Sequence, residues 1–268
     1  MDIDAYFARI GYRGERTASL GTLRAIHALH PGAIPFENMD PLLGLPVPLE
    51  LDSLQTKMID RRRGGYCFEQ NTLFQAVLER LGFSVTSLAG RVVWRLPPDK
   101  PPNPRNHMLL KIDLDEGPFI ADVGFGGLLF AAPLNLRVGL EQQTTAGAFR
   151  FREEGILLTL EALTGSGWQD VYRFTLEPQL PVDSLVANWF TATHPTSRFR
   201  NNLVAERLTA EMRISLFHRG LTRRYAGGAL EETILETPEH LARALEDEFS
   251  LELPSTPERL FERLPSSS

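Results

Sequence analysis

The chain has 268 residues, 43% of them hydrophobic and 23% charged, with a formal net charge of -6. That is globular composition with ample material for a core, and its sign gives no general attraction to nucleic acid or anionic lipid. No stretch approaches the roughly 20 apolar residues needed to cross a bilayer. The single cysteine excludes an internal disulfide and a cysteine-based metal cluster. The amino terminus carries early aspartates rather than a basic start and an apolar run, and a lone thiol suits a reducing compartment. The expected location is the cytoplasm.

In chain order, the first eighty residues read as helices. Ile3, Tyr6, Phe7 and Ile10 recur at helical spacing, as do Leu20, Leu23, Ile26, His27 and Leu29, with Ser19 as N-cap and Pro31 closing the segment. A stretch punctuated by proline and glycine follows, from Pro31 to Pro48. Arg61-Arg62-Arg63 is a basic run of the kind that is usually solvated surface. Leu51, Leu54 and Met58 suggest a third helix, and Phe74, Val77, Leu78 and Leu81 mark one face of a fourth, running from Phe68 to Leu81 and ended by Gly82. From Val85 the pattern turns to strands, at 85–94, 107–114, 119–125, 149–153, 156–163 and 171–177. Five prolines between Pro97 and Pro104 make that segment a loop. Residues 200–235 read as further strands and turns, and helices return at 238–249 and 257–264 before a serine tail expected to fray. Segregated helices, then strands, then a mixed end predict an α+β fold.

The chemistry concentrates around Cys67. Gly64 and Gly65 let the backbone turn sharply, and Cys67 then falls in the first turn of the fourth helix. The free N–H groups and dipole there favour the thiolate, and the backbone N–H of Phe68 is a candidate oxyanion donor. A cysteine nucleophile needs a base, and the base an orienting group. Among six histidines, His107 opens one strand while Asp122 lies on the next, with the turn-like Asp113–Gly117 between them. A hairpin folded there brings His107 and Asp122 level at one end. The competing readings are a strand-end histidine bonded to backbone and an exposed aspartate in a half-buried strand. A zinc site is disfavoured because no two candidate ligands sit at local ligand spacing.

Arg63-Gly64-Gly65-Tyr66-Cys67-Phe68-Glu69-Gln70-Asn71 resembles the active-site segment of the arylamine N-acetyltransferases. Asn106-His107-Met108 and Ala121-Asp122-Val123-Gly124-Phe125-Gly126-Gly127 resemble the segments that hold that family's catalytic histidine and aspartate. Pro35-Phe36-Glu37-Asn38 and Asn188-Trp189-Phe190, with His194-Pro195, Ser197 and Phe199 after them, are further segments of the same kind. The resemblance implies an N-terminal helical bundle over 1–84 carrying Cys67, a central β-barrel over 85–190 carrying His107 and Asp122, and a C-terminal α/β lid over 191–268. It implies a papain-like, transglutaminase-like core with Cys67, His107 and Asp122 as a triad. It also implies acetyl transfer from acetyl-coenzyme A to arylamines, arylhydrazines or N-hydroxyarylamines, with no metal, nucleic acid or membrane partner. Phe36, Phe125 and Phe199 would line the acceptor site, while Trp94, Gly126 and Gly127 would lie near coenzyme A. Arg223-Arg224 is a candidate contact for the coenzyme's phosphates. The same triad would equally serve a cysteine peptidase or another transglutaminase-like acyltransferase, and a non-catalytic binding protein could retain the fold; the acyl donor separates these readings.

Overall fold

A computed structural model describes residues 1–97 and 99–265; the serine tail lies outside the described residues. The N-terminal part contains α1 (Ile3–Ile10), α2 (Leu20–Ala33), the two-residue strand β1 (Phe36–Glu37), α3 (Met39–Leu43), α4 (Leu51–Leu54) and α5 (Cys67–Arg80). Ser19 caps α2 as expected, its hydroxyl accepting the Thr22 N–H at 3.2 Å. Pro31 does not close that helix, which runs on to Ala33. Standing in the last turn, Pro31 forfeits only its own bond to the preceding turn. The third helix is α4, continued by a π-helical turn over Gln55–Asp60.

Eight strands form the second layer: β2 (Ser84–Val92), β3 (His107–Leu114), β4 (Gly117–Ala121), β5 (Leu134–Asn135), β6 (Gln142–Thr144), β7 (Gly147–Glu154), β8 (Leu157–Thr164) and β9 (Gly167–Phe174). Their order is β5-β4-β3-β2-β9-β8-β7-β6. The two outer strands nearly close the sheet into a barrel through a side chain. Asn135 N donates to Gln142 Oε1 at 2.7 Å, and Gln142 Nε2 returns a bond to the Asn135 carbonyl at 2.9 Å. Closure of this kind occupies edge groups that would otherwise be free to pair with another chain.

After the barrel come α6 (Pro181–Thr193), α7 (Arg198–Asn201), β10 (Val204–Leu208), β11 (Met212–Phe217), β12 (Gly220–Tyr225), β13 (Leu230–Ile234), α8 (Pro238–Arg243) and α9 (Pro257–Phe261). A π-helical turn over Ala244–Glu248 extends α8. β10 to β13 form an antiparallel sheet whose first strand is β1, paired Phe36 to Glu206 and Glu37 to Ala205. The N-terminal part thus contributes a strand to the C-terminal sheet, and Met39 and Leu42 join its core beside Leu216, Leu245 and Phe249.

Alternation along the β3–β4 hairpin explains how the helical and barrel layers meet. Met108, Leu110, Ile112, Phe119 and Ala121 pack into one core with Leu73, Phe74 and Val77 of α5. Leu109 and Ile120 point the other way, into the barrel with Phe125, Phe130 and Tyr172. His107 and Asp122 share the parity of Leu109 and Ile120. Among the described residues no helix is long and apolar enough to cross a membrane.

Candidate active site

Cys67 is the first residue of α5, after Tyr66 in extended conformation. The turn feeding it has no room for side chains: a Cβ on Gly64 would stand 2.0 Å from the Pro35 carbonyl oxygen, and one on Gly65 2.8 Å from Glu69 Oε2. That packing lets the Glu69 carboxylate reach back and accept the Tyr66 N–H at 3.1 Å, which fixes the entry into the helix. The first backbone bond of α5 runs from Gln70 N to the Tyr66 carbonyl, so the N–H groups of Cys67 and Phe68 precede the helical ladder.

His107 starts β3, and Asp122 lies one residue beyond β4. Leu110 pairs with Ala121; continued past that pair, the register sets Asp122 diagonally across from His107, two places from the level pairing expected. A diagonal neighbour on one face is within side-chain reach. His107 Nε2 and Asp122 Oδ2 are 2.7 Å apart, the imidazole N–H donating to the carboxylate. Nδ1 is left on the side of Cys67, which stands near enough to act on the ring; Cys67 Sγ lies 3.8 Å from the Asn106 carbonyl oxygen. All three side chains are buried. Gly124 permits the approach, because a Cβ there would meet Cys67 Cα at 2.6 Å.

The electrostatics favour a charged imidazole beside a charged carboxylate. Burial pulls the His107 imidazolium down, but the Asp122 charge and the hydrogen bonds from Asp122 and Cys67 outweigh it, raising the group to about 10. Burial pushes the Asp122 carboxyl up; the His107 charge, then bonds from His107, Asn71 and the Gly124 N–H, hold it below its ordinary range. At neutral pH the histidine carries a proton beside the sulfur.

Two further residues hold Asp122 that the sequence pattern did not single out. Asn71 Nδ2 donates to Asp122 Oδ1 at 3.0 Å and to the Met108 carbonyl at 2.7 Å, while its Oδ1 accepts the Val123 N–H at 3.1 Å. His27 Nε2 accepts the Asp122 backbone N–H at 3.2 Å, and burial lowers His27 to about 3, keeping it a neutral acceptor. Asn71 was visible inside the cysteine segment, one helical turn beyond Cys67. His27 carried no signal beyond its place on an apolar helix face.

Cys67 and His107 open onto a cavity of about 400 Å³. Phe36, Phe125 and Phe199 all line it, together with Gly126, Val204 and Phe190. The ring of Phe125 meets His107 edge-on at 5.2 Å, and Phe36 packs against Phe199 at 5.8 Å. One wall is the proline loop, through Pro101, Pro102, Asn103 and Pro104, which sequence periodicity cannot mark. Trp94 and Gly127 are not in the wall. Trp94 is half-buried against the barrel core, and the Gly127 N–H is taken by the buried Glu206 carboxylate. Gly126 fits tightly, for a Cβ there would stand 2.5 Å from the Phe36 ring. Arg223 is held by Glu248 through two bonds of 2.5 and 2.6 Å.

The basic run at 61–63 is solvated only at Arg61 and Arg62. Arg63 is buried and binds Glu37 Oε1 at 2.7 Å and Asp40 Oδ1 at 2.9 Å; Lys57 bridges Asp40 and Glu69 at 2.6 Å each. Glu37 also caps the Met39 N–H at 2.6 Å. Asn38 ties the C-terminal part down through bonds to the Phe199 and Asn202 carbonyls and the Val204 N–H. Tyr66 OH meets Asn188 Oδ1, and Asn188 Nδ2 donates to the Val47 carbonyl at 2.8 Å. These polar residues staple the walls of the cavity rather than enter it. Among the described residues no group of three or more His, Cys, Asp or Glu could hold a metal ion.

A family profile described as N-acetyltransferase matches residues 19–258. The arylamine N-acetyltransferase of Mycolicibacterium smegmatis is 40% identical over 256 residues, covering 94% of this chain and 93% of that one. The arylamine N-acetyltransferase / N-hydroxyarylamine O-acetyltransferase of Salmonella typhimurium is 38% identical over 250 residues, covering 93% and 88%. The solved structure of Mycobacterium marinum arylamine N-acetyltransferase in complex with CoA superposes with a TM-score of 0.93 at 40% identity, covering 98% of both chains. Likeness of this extent, from residue 19 to 258 and through both sheets, makes the chain an enzyme of the arylamine N-acetyltransferase family.

Proposed function

We propose that the protein transfers the acetyl group of acetyl-coenzyme A to the nitrogen of arylamines and arylhydrazines, and to the oxygen of N-hydroxyarylamines, through an acetyl-thioester on Cys67. The observation that carries this reading is the buried line Cys67–His107–Asp122 ending in a cavity walled by Phe36, Phe125 and Phe199. The Cys67 thiolate attacks the thioester carbonyl, and the N–H of Phe68 is placed at the helix start to receive the oxyanion. Collapse expels the coenzyme A thiolate, which takes the proton held at His107 Nδ1. The acetyl-enzyme is next attacked by the amine; His107 accepts the amine proton, the C–S bond breaks, and the product amide leaves. Asp122 holds the imidazole in orientation and balances its charge throughout.

We read this as the cysteine-triad core shared by papain-like and transglutaminase-like enzymes. In that reading residues 1–84 bring the nucleophile, 85–190 the base and its carboxylate, and 191–268 a lid. A lone thiol that must stay reduced to work supports a cytoplasmic location. The Mycobacterium marinum enzyme's structure in complex with CoA supports the choice of donor.

Water and amine compete for the thioester, so a transferase must hold the amine in line where effective molarity offsets the excess of water. Flat acceptors suit three aromatic walls. Initial rates with acetyl-coenzyme A varied at several 4-anisidine concentrations should therefore give parallel double-reciprocal lines. Without amine, free coenzyme A should appear as a burst of one equivalent, followed by slow hydrolysis. Intersecting lines, or hydrolysis as fast as transfer, would overturn the reading.

A further inference from the structure

A second cavity, of about 490 Å³, shares no lining residue with the first. β10 runs between them: Val204 lines the catalytic cavity, while Arg207 and Leu208, further along the strand, line this one. Three arginines converge on it from separate elements, Arg9 from α1, Arg62 from the basic run before Cys67 and Arg207 from β10. Arg9 Nε donates to the Met58 carbonyl at 3.2 Å, but its Nη2 is buried and meets no acceptor among the described residues. Arg207 donates to the Gly32 and Glu248 carbonyls at 2.7 and 2.6 Å, and the Glu248 carboxylate is itself taken by Arg223. Among the described residues no carboxylate stands within salt-bridge distance of these three guanidinium groups, whereas Arg16, Arg63, Arg213 and Arg223 each have one. The one acidic residue in the wall is Glu211, on the exposed turn between β10 and β11; Glu246 and Glu252 border an adjoining hollow with Arg62. The three cations act on one another. Burial, then Arg62, then Arg207 pull Arg9 down to about 10, and burial, then Arg62, lower Arg207.

Like charges gathered in one wall repel, and a buried donor without an acceptor is a cost to the fold. An oxyanion seated among them offsets both. We infer that Arg9, Arg62 and Arg207 form a second ligand site, which takes the phosphoryl group of a small organic phosphate monoester. Guanidinium groups are planar forks matched to phosphate oxygens, and a dianion best balances three cations. Ile10, Ala28, Ala33 and Leu208 give an apolar wall beside the arginines, and the cavity is far larger than a bare phosphate, which leaves space for the organic body. The site stands apart from acetyl transfer, since Cys67, His107 and the three phenylalanines line the other cavity. Coenzyme A also carries a phosphate monoester. To present its thioester to Cys67 it must occupy the first cavity, so competition separates the two sources.

The probe is phenyl phosphate, titrated calorimetrically into the full chain saturated with coenzyme A and into the full chain without it, with inorganic phosphate for comparison. The wild type should bind one equivalent, more tightly than inorganic phosphate, and coenzyme A should leave the affinity unchanged. Arg62→Ala, at an exposed position, should weaken binding about tenfold through loss of a charge-assisted hydrogen bond. Glu211→Gln removes the one carboxylate of the wall and should tighten binding about twofold. Raised salt should weaken it in all three proteins, and circular dichroism checks that each variant is folded. Absence of binding, an affinity no better than that of inorganic phosphate, or an affinity unmoved in Arg62→Ala would overturn the site. Displacement of phenyl phosphate by coenzyme A would do so too, and would give the three arginines to the coenzyme's own phosphates.

Discussion

Asp122→Asn should lower turnover by about three to four orders of magnitude while leaving the fold intact. The amide fits the same space and can keep the Asn71 and Gly124 contacts to its oxygen. It removes the negative charge that outweighs burial at His107. Without it, burial favours the neutral imidazole, and the proton held beside Cys67 is lost. The sign follows from the directions of the shifts. His107 is raised to about 10, above its unfolded value of about 6.5, so its charged form favours the native state fully below about pH 6.5 and loses that advantage as pH rises towards 10. Asp122 is lowered, so its contribution is present above an unfolded value of about 3.9 and lost as pH falls through its folded value. Between these limits the rate at which iodoacetamide alkylates Cys67 in the wild type should follow the charge on His107. In Asp122→Asn the low-pH arm of that profile should vanish along with turnover. A variant with near-normal turnover and an unchanged alkylation profile would reduce Asp122 to a strand-end residue.

Arg63→Ala should be the most destabilising single change near the site, costing about 3–5 kcal/mol. It would leave Glu37, Asp40 and Glu69 buried around Lys57 alone, three carboxylates with one cation. Burial already pushes the Glu69 carboxyl up to about 7 in spite of Lys57. Because that value lies above the unfolded one of about 4.3, ionising Glu69 costs stability as pH rises from about 4 to 7. The loss in Arg63→Ala should accordingly be larger at pH 8 than at pH 5, read as the shift in urea midpoint. Arg62→Ala, at an exposed position, should stay within about 0.5 kcal/mol at both. Equal stability of the two variants would show that the buried cluster adds nothing.

The contrast between Arg62 and Arg63 marks where sequence patterns stop. A run of three arginines reads as surface because the carboxylates that bury the third are remote in sequence, at Glu37 and Asp40. Local signals worked where local physics decides. Ser19 capped its helix, the glycines before Cys67 made its turn, and the alternation in β3 and β4 set His107 and Asp122 on one face. The helix α6 went unread for a physical reason. Val182, Leu185, Val186 and Trp189 follow a helical stripe but are exposed, while the polar Asn188 and Thr191 face inward to Tyr66 and the cavity. That inverts the usual apolar-in pattern. β1, with two residues, exists only through its pairing with β10 and a bridge to Gly65, contacts that no window of sequence contains. At the site, the aromatic lining was legible from glycine-flanked and motif positions. Trp94 and Gly127 were placed near coenzyme A by motif alone, and in the fold one packs on the barrel and the other gives its N–H to Glu206.

The account turns on a covalent acetyl-enzyme at the one cysteine. Incubation with acetyl-coenzyme A in the absence of any amine, followed by peptide mass mapping, tests it directly. One acetyl group should appear on the peptide that carries Cys67, labile to added arylamine, and none should appear in Cys67→Ala, which should also lack turnover. Acetyl found on a lysine while Cys67 remains free, or turnover retained by Cys67→Ala, would contradict it.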